Sequence, residues 1–144
     1  MNGDPVFNLA GRVAVITGGM GQLGVVYAAA LAERGARVAL FDRATTPKLE
    51  LPAFRRGLED GSILPLTVDI TDQAAVQAAT ETVTERWQTP HILINNAALA
   101  SPPDAPPEEV GPFETYPLSS FDQVMAVNVK GTLVPCQVIG AAMA

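Results

Sequence analysis

The chain has 144 residues and a formal net charge of −6; 48% of the residues are hydrophobic and 17% are charged. This length and apolar content predict one domain that buries a core and exclude a disordered segment. The negative charge argues against nucleic acid or an anionic membrane as a partner. We find no run long and apolar enough to span a bilayer and no signal-peptide pattern at the N-terminus.

The chain contains one cysteine, Cys136, and one histidine, His91. A single cysteine excludes an internal disulfide, which favours a reducing, cytoplasmic location. The pair cannot form a Cys/His metal cluster, so we predict no metal site there and a structural role for both residues.

The first predicted strand, Val13 to Ile16, is a short apolar run typical of a buried parallel strand. A glycine-rich loop follows it over residues 17–24. A helical pattern comes next, closed by Gly35, with these apolar residues at the spacing of one helix face: Leu23, Val26, Tyr27, Ala30 and Leu31. Glycine lets a pyrophosphate approach the backbone, and a helix N-terminus offers unpaired N–H groups. Strand, glycine loop and helix in this order therefore predict a dinucleotide site.

Asp42 ends the second predicted strand, Ala36 to Phe41. An acid at this position can accept hydrogen bonds from the adenosine ribose of NAD, and its charge repels the 2′-phosphate of NADP. The alternative is a solvated carboxylate at the end of a strand. Asp42 therefore favours NAD, and Arg43, which follows it, leaves NADP as the weaker cofactor.

The alternation of helix and strand then continues through two more units. A turn after Asp42 opens a short helix towards Arg56, a second turn lies between Gly57 and Gly61, and Ile63 to Val68 is the third strand. Thr71 or Asp72 caps the next helix, whose apolar positions are Val76, Ala79, Val83 and Trp87. His91 to Ile94 is the fourth strand. The order β-α-β-α-β-α-β predicts an α/β fold with a Rossmann-like, doubly wound parallel sheet and right-handed crossovers.

Asn95-Asn96-Ala97-Ala98 follows the fourth strand, at the edge where ligands bind in open α/β sheets. Residues 101–117 contain six prolines and are predicted to be a loop or short capped turn, either a pocket lid or a passive linker. Ser120-Phe121-Asp122-Gln123 matches a capping box that opens a final helix. We expect Pro135 to kink that helix.

Four segments together resemble the short-chain dehydrogenase/reductase family. Residues 17–24 are similar to its cofactor loop, with a spacing closer to TGxxGxxG than to TGxxxGxG because Gln22 replaces a glycine. Asp69-Ile70 looks like the acid-plus-aliphatic pair that holds the adenine. Residues 95–98 resemble the NNAG motif with alanine in place of glycine, and Asn128-Val129-Lys130-Gly131 resembles the NVxG segment.

The resemblance covers residues 11 to about 143 and implies a set of site residues. Asn128 is the only member of the family's catalytic tetrad that is present. In the family this asparagine helps to hold a water that relays protons. The implied cofactor-binding residues are Thr17, Gly18, Gly21, Gln22, Leu23, Gly24, Asp42, Asp69, Ile70, Asn95 and Ala97.

The family's chemistry also needs a serine, a tyrosine and a lysine four residues after that tyrosine. Leu31 and Ser120 stand four residues after the two tyrosines, Tyr27 and Tyr116, and no serine or tyrosine follows Asn128. The resemblance therefore implies a single, incomplete NAD(P)-binding domain over residues 1–144, truncated after the fourth strand and its following helix.

Truncation predicts exposed surfaces. The fourth strand would become a sheet edge, and the final helix would leave these residues partly exposed: Val127, Leu133, Val134 and Ile139. In the family this helix packs in a dimer interface, so we expect a homo-oligomer.

Three functions are compatible with these patterns. The first is a short-chain oxidoreductase that moves hydride between NAD(P) and an alcohol, ketone or sugar, with this chain carrying the cofactor-binding half and inactive alone. The second is a non-catalytic dinucleotide-binding or interaction module, favoured by the missing Ser-Tyr-Lys trio. The third is an S-adenosylmethionine methyltransferase, against which the two asparagine motifs argue.

Overall fold

The computed structural model of the chain describes residues 5–101, 105 and 107–144. Four strands form a parallel sheet in the order β3-β2-β1-β4. Their bounds are β1 Val13–Thr17, β2 Arg37–Asp42, β3 Ile63–Thr67 and β4 Ile92–Asn95. The predicted doubly wound parallel sheet is confirmed, and β4 is an edge strand as expected.

The helices lie on both faces of the sheet. They are α1 Gln22–Glu33, α2 Pro52–Glu59, α3 Gln73–Arg86, α4 Leu118–Met125 and α5 Gly131–Met143, with a π-helical segment Ala126–Lys130 between the last two. Short 3-10 turns cover Pro5–Phe7, Pro107–Val110 and Phe113–Thr115.

Alternate side chains of the strands face two separate cores. Ile16 and Leu40 pack with α1 and α2 on one face, while Val15 and Phe41 pack with α3 and α5 on the other. All five residues of β1 are buried, as expected for the central strand of a sheet covered on both faces.

Two predicted helix ends are confirmed. Gly35 follows α1 with φ +91°, and its N–H bonds the Ala32 carbonyl while the Ala36 N–H bonds the Leu31 carbonyl. This is a Schellman motif, which needs the left-handed conformation that glycine adopts freely. The Asp72 carboxylate caps α3 by accepting from the N–H groups of Ala74 and Ala75.

The predicted buried face of α1 is wrong. Leu23 is 60% exposed, and the buried positions are instead Gly24, Val25, Ala28 and Ala29. The reason is the close approach of α1 to the glycine loop: a Cβ atom at Gly24 would overlap the Gly18 carbonyl. Gly24, Ala28 and Ala29 therefore face the sheet together with Val25, and Leu23 turns outward.

Two other boundaries differ from prediction. Gly57 lies inside α2, where a Cβ atom would come within 2.5 Å of Ile63 Cδ1, so glycine allows α2 to pack against β3. The last helical run begins at Leu118, because the Pro117 carbonyl already accepts from the Ser120 and Phe121 N–H groups. Ser120 is therefore a buried residue within the helix and not its cap.

The π-helical segment interrupts the regular α-helix of this run, whereas α5 continues through Pro135, which is buried within it. The segment ends where the Gly131 N–H bonds the Ala126 carbonyl, five residues back. The exposure predicted for this region is right for Leu133, at 53%, and for half-buried Val127. It is wrong for Val134 and Ile139, which pack into the core.

The helical run Leu118–Met143 is long enough and apolar enough to cross a membrane, by length and composition alone. The expectation that no such run exists is therefore wrong. The finding is a weak indication of a span, because core helices pass the same test. Val134, Val138 and Ile139 of this run pack into the core beneath the sheet.

Candidate functional site

A cleft of about 830 Å³ opens at the carboxyl edge of the sheet. The glycine loop, the ends of β2 and β3, the loop after β4 and the α4–π segment border it. Its lining includes Gly18, Gly21, Gln22, Leu23, Asp42, Asp69, Ile70 and Ala97. Four residues predicted from the sequence do not line the cleft: Thr17, Gly24, Asn95 and Asn128.

The glycine loop is shaped by close backbone approach. Gly18 has φ +64°, and a Cβ atom there would lie 2.8 Å from the Cα atom of Ala97. Gly21 is the N-cap residue of α1, and the first intrahelical bond is donated by Val25. No side chain among the described residues caps this N-terminus, so its N–H groups are available to an anionic ligand. Gly24 instead permits helix packing and lies behind the loop.

Thr17 and Asn96 fasten the loop to the end of β4. The buried Thr17 hydroxyl accepts from the N–H groups of Asn96 and Ala97, both at 3.1 Å. Asn96 Nδ2 donates to the carbonyls of Thr17 and Gly18, both at 3.0 Å. The Asn95 side chain instead contacts Cys136 Sγ on α5, so Asn96 is the asparagine whose side chain bonds the loop backbone. Asn96 was within the recognised motif, but strand alternation alone does not reveal which asparagine turns towards the loop.

Asp42 lies beside the glycine loop. Its Oδ2 accepts from the Met20 N–H at 2.9 Å, and its Oδ1 accepts from the Ala44 N–H at 2.8 Å. Arg43 and Lys48 line the same cleft. The acid is therefore at the site with two basic residues near it.

Asp69 follows β3 and lines the cleft. Its Oδ1 accepts from the Thr71 hydroxyl at 2.7 Å and from the Thr71 N–H at 2.9 Å. These bonds hold the pKa of Asp69 below its ordinary value, and the charges of Arg43 and Lys130 act in the same direction. Ile70 is buried against Gly131, where a Cβ atom would come within 2.7 Å of Ile70 Cδ1.

Asn128 lies in the π-helical segment and holds the loop that follows β4. Its Oδ1 accepts from the Leu99 N–H at 2.8 Å, and its Nδ2 donates to the Leu99 carbonyl at 3.0 Å. Both polar ends of the side chain are thus paired with one backbone residue. π-helical turns within α-helices are frequent at functional sites.

The two tyrosines lie in settings unlike that of a general acid/base. Tyr116 donates to Glu109, and burial together with this contact raises the pKa of the tyrosine. Tyr27 is 37% exposed on α1 and does not line the cleft. No tyrosine–lysine pair borders the cleft among the residues that the structure describes.

Other predictions concern residues around the cleft. Over 5–101, 105 and 107–144, no cluster of three metal-ligating side chains is present. His91 Nδ1 accepts from the Val13 N–H, the structural role expected of it. Pro102, Pro103 and Pro106 lie outside the described residues. The described remainder of the proline-rich stretch forms short 3-10 turns that do not line the cleft.

Known proteins resemble this chain over nearly its whole length. D-threitol dehydrogenase of Mycolicibacterium smegmatis is 33% identical over 95% of this chain and 49% of its own. Sorbitol dehydrogenase of Cereibacter sphaeroides is 34% identical over 94% of this chain and 48% of its own. The crystal structure of an NAD⁺-bound xylitol dehydrogenase matches with a TM-score of 0.74 at 25% identity, over 94% of this chain and 49% of that one.

The chain thus spans about half the length of the relatives it matches. A family model described as short chain dehydrogenase matches residues 12–144. The match begins just before β1 and includes the glycine loop, both asparagine motifs and the Asp69-Ile70 pair. The chain belongs to the short-chain dehydrogenase/reductase family.

Proposed function

We propose that this chain is the cofactor-binding half of an oxidoreductase that uses NAD, with NADP as the weaker cofactor. The observation that supports this most directly is the convergence of the glycine loop, Asp42 and Asp69 on one cleft. Bound there, the nicotinamide ring supplies or accepts the hydride. The substrate is a secondary alcohol or the matching ketone, and the polyol named for several relatives is the class we favour.

The chain's own residues fit such a dinucleotide. The backbone of Gly18 and Gly21 and the uncapped N-terminus of α1 suit a pyrophosphate. Each oxygen of Asp42 accepts one backbone N–H and retains capacity for a ribose hydroxyl. Asp69 Oδ1 is occupied by Thr71, so its Oδ2 would take the adenine amino group while Ile70 packs beside the ring.

In this proposal the described residues would hold the cofactor but provide no proton acceptor for the carbinol. Asn128 would support the proton relay by fixing the Leu99 loop at the cleft. We therefore propose that the 144-residue chain binds cofactor but does not turn over substrate. We also propose a cytosolic location, consistent with its single cysteine.

Binding of NADH by calorimetry tests the proposal. We expect Asp42→Ala to weaken NADH binding at least tenfold, about 1.4 kcal/mol, because hydrogen bonds to a charged group are lost. The variant should also discriminate less between NADH and NADPH. Asp60→Ala is the matched control, since Asp60 accepts one N–H from Ser62 at the opposite edge of the sheet. Failure of the unmodified chain to bind NADH would refute the proposal, and binding of S-adenosylmethionine instead would favour the methyltransferase. Hydride transfer by the purified chain would overturn the predicted inactivity.

A further inference from the structure

Asp42 contacts the glycine loop itself and not only the space in front of it. Its Oδ2 accepts from the Met20 N–H at 2.9 Å. The Met20 carbonyl in turn accepts from the Lys48 N–H at 2.8 Å. Both peptide groups of Met20 are therefore tied to the chain that leaves β2. The Met20 side chain is 4% exposed and packs in the core beneath α1.

The Met20 amide lies at the middle of the segment that would hold a pyrophosphate. Gly18 and Gly21 flank it, and the Gly21 N–H bonds the Gly18 carbonyl at 3.1 Å. A side-chain carboxylate that fixes this amide also fixes the path of the loop into α1, whose N-terminus has no side-chain cap. Fixing a binding loop before the ligand arrives lowers the entropy lost on binding.

We propose that Asp42 is a positioning residue for the glycine loop, so that it strengthens binding of the pyrophosphate, which it never touches, as well as of the adenosine ribose. A carboxylate has about four acceptor positions and two are used here. Both roles can therefore operate at once. The inference rests on the proposed dinucleotide function for its binding arm only, because the contact with Met20 exists without ligand.

The geometry makes Asp42→Asn the informative variant. Two backbone donors, Met20 N–H and Ala44 N–H, now take one carboxylate oxygen each. An asparagine offers a single oxygen, so its NH₂ group must face one of these two donors. Asp60→Asn is the matched control, because Asp60 makes the same i to i+2 contact, with the Ser62 N–H at 2.8 Å, and lies away from the loop.

Two measurements on the ligand-free protein test the positioning role. In the unmodified chain, a scalar coupling across the hydrogen bond should join the Met20 nitrogen to the Asp42 Cγ carbon. In Asp42→Asn we expect the Met20 amide to exchange with solvent at least tenfold faster, with no change in Asp60→Asn. An absent coupling, or equal Met20 exchange in all three proteins, would overturn the inference. Should Asp42→Asn fail to fold, the coupling in the unmodified chain decides.

A double-mutant cycle separates the loop role from the ribose role. It compares NADH with an analogue that lacks the 2′- and 3′-hydroxyls of the adenosine ribose. If Asp42 only bound the ribose, the unmodified chain and Asp42→Asn would bind the analogue equally well. We expect Asp42→Asn to bind it at least fivefold more weakly. If NADH does not bind the unmodified chain at all, the proposed function fails while the exchange and coupling measurements still decide the positioning role.

Discussion

Single residues set the shape of the cleft because the backbone of the loop has no room for side chains. Gly24 shows this most clearly, since a Cβ atom there would overlap the Gly18 carbonyl and crowd the Gly19 Cα atom at 2.7 Å. Both neighbours are backbone and cannot rotate away. The glycine at this position therefore determines how closely α1 approaches the sheet.

We expect Gly24→Ala to lower the free energy of unfolding by about 1–3 kcal/mol, because an overpacked site forces the backbone to shift. Urea denaturation measures the change. Gly140→Ala is the control: apart from the backbone of its own helix and its chain neighbours, nothing lies within 4 Å of the added methyl group, so it should be neutral or stabilise α5 by up to about 1 kcal/mol. Equal stability of the two variants would contradict the account.

A second residue-scale prediction concerns Asp69. Thr71→Val removes the hydroxyl donor, so the pKa of Asp69 should rise towards its ordinary value while the remaining N–H bond keeps part of the shift. An NMR titration of the Asp69 carboxyl measures this. Thr82→Val on the exposed face of α3 is the control, because its hydroxyl bonds only the Ala78 carbonyl.

The sign of the stability effect follows from the lowered pKa. A carboxyl whose folded pKa lies below its unfolded value stabilises the fold above the unfolded pKa, and this contribution is lost as the pH falls through the folded pKa. The stability difference between the native chain and Thr71→Val should therefore be present at neutral pH and vanish in acid. A difference that persisted unchanged in acid would assign it to packing instead.

At the scale of elements, the π-helical segment and the loop after β4 act as one unit. Asn128 makes both of its side-chain hydrogen bonds to Leu99, and that residue lines the cleft. The helix therefore holds in place a loop that is far away in sequence.

We expect Asn128→Ala to accelerate solvent exchange of the Leu99 amide and to lower the free energy of unfolding by about 1–3 kcal/mol, because a partly buried donor and acceptor lose their partners. Exchange measured by NMR distinguishes the local effect from the global one. Gln137→Ala is the control, since Gln137 is exposed on the same helical run. Unchanged Leu99 exchange would show that the loop does not depend on Asn128.

The elements that the sequence predicted best are those set by strong local signals. Apolar runs predicted four strands, and the carboxylate of Asp72 and the glycine at position 35 predicted two helix ends. The buried face of α1 was not predictable from hydrophobicity, because its large apolar residues face outward. Exclusion of side chains by Gly18 and Gly24 determines that face, and this contact exists only after folding.

The site was predictable to a similar depth. Asp42 and Asp69 reach the cleft because the ends of parallel strands meet at one edge. The choice of Asn96 over Asn95 to bond the loop depends on the pleat at the end of β4, and the contact of Asp42 with Met20 depends on the path of the loop. Neither the π-helical segment nor the start of α4 has a sequence signal that outweighs the capping box at Ser120.

The whole molecule has an exposed apolar stripe along its last helical run. The stripe consists of Leu118, Phe121, Met125, Val129 and Leu133, each at least 41% exposed. Large exposed apolar patches mark surfaces that associate. The edge strand β4 also presents unpaired backbone groups, which favour association with another chain.

We expect the chain to self-associate at high concentration and Leu133→Glu to weaken that association severalfold, because a charge would be desolvated in the contact. Sedimentation equilibrium measures it. Ala78→Glu on exposed α3 is the control and carries the same added charge. A monomeric native chain, or equal effects of the two variants, would contradict this role of the stripe.

The position of β1 in the sheet has a consequence for synthesis on the ribosome. Val13 and His91, 78 residues apart, must meet before β4 can align beside β1. At about 5–20 residues per second, the free edge of β1 waits roughly 4–16 s for its second neighbour to be made. During that interval the most apolar strand of the chain is paired on one side only, so this protein should be a stronger client of ribosome-associated chaperones than its size suggests.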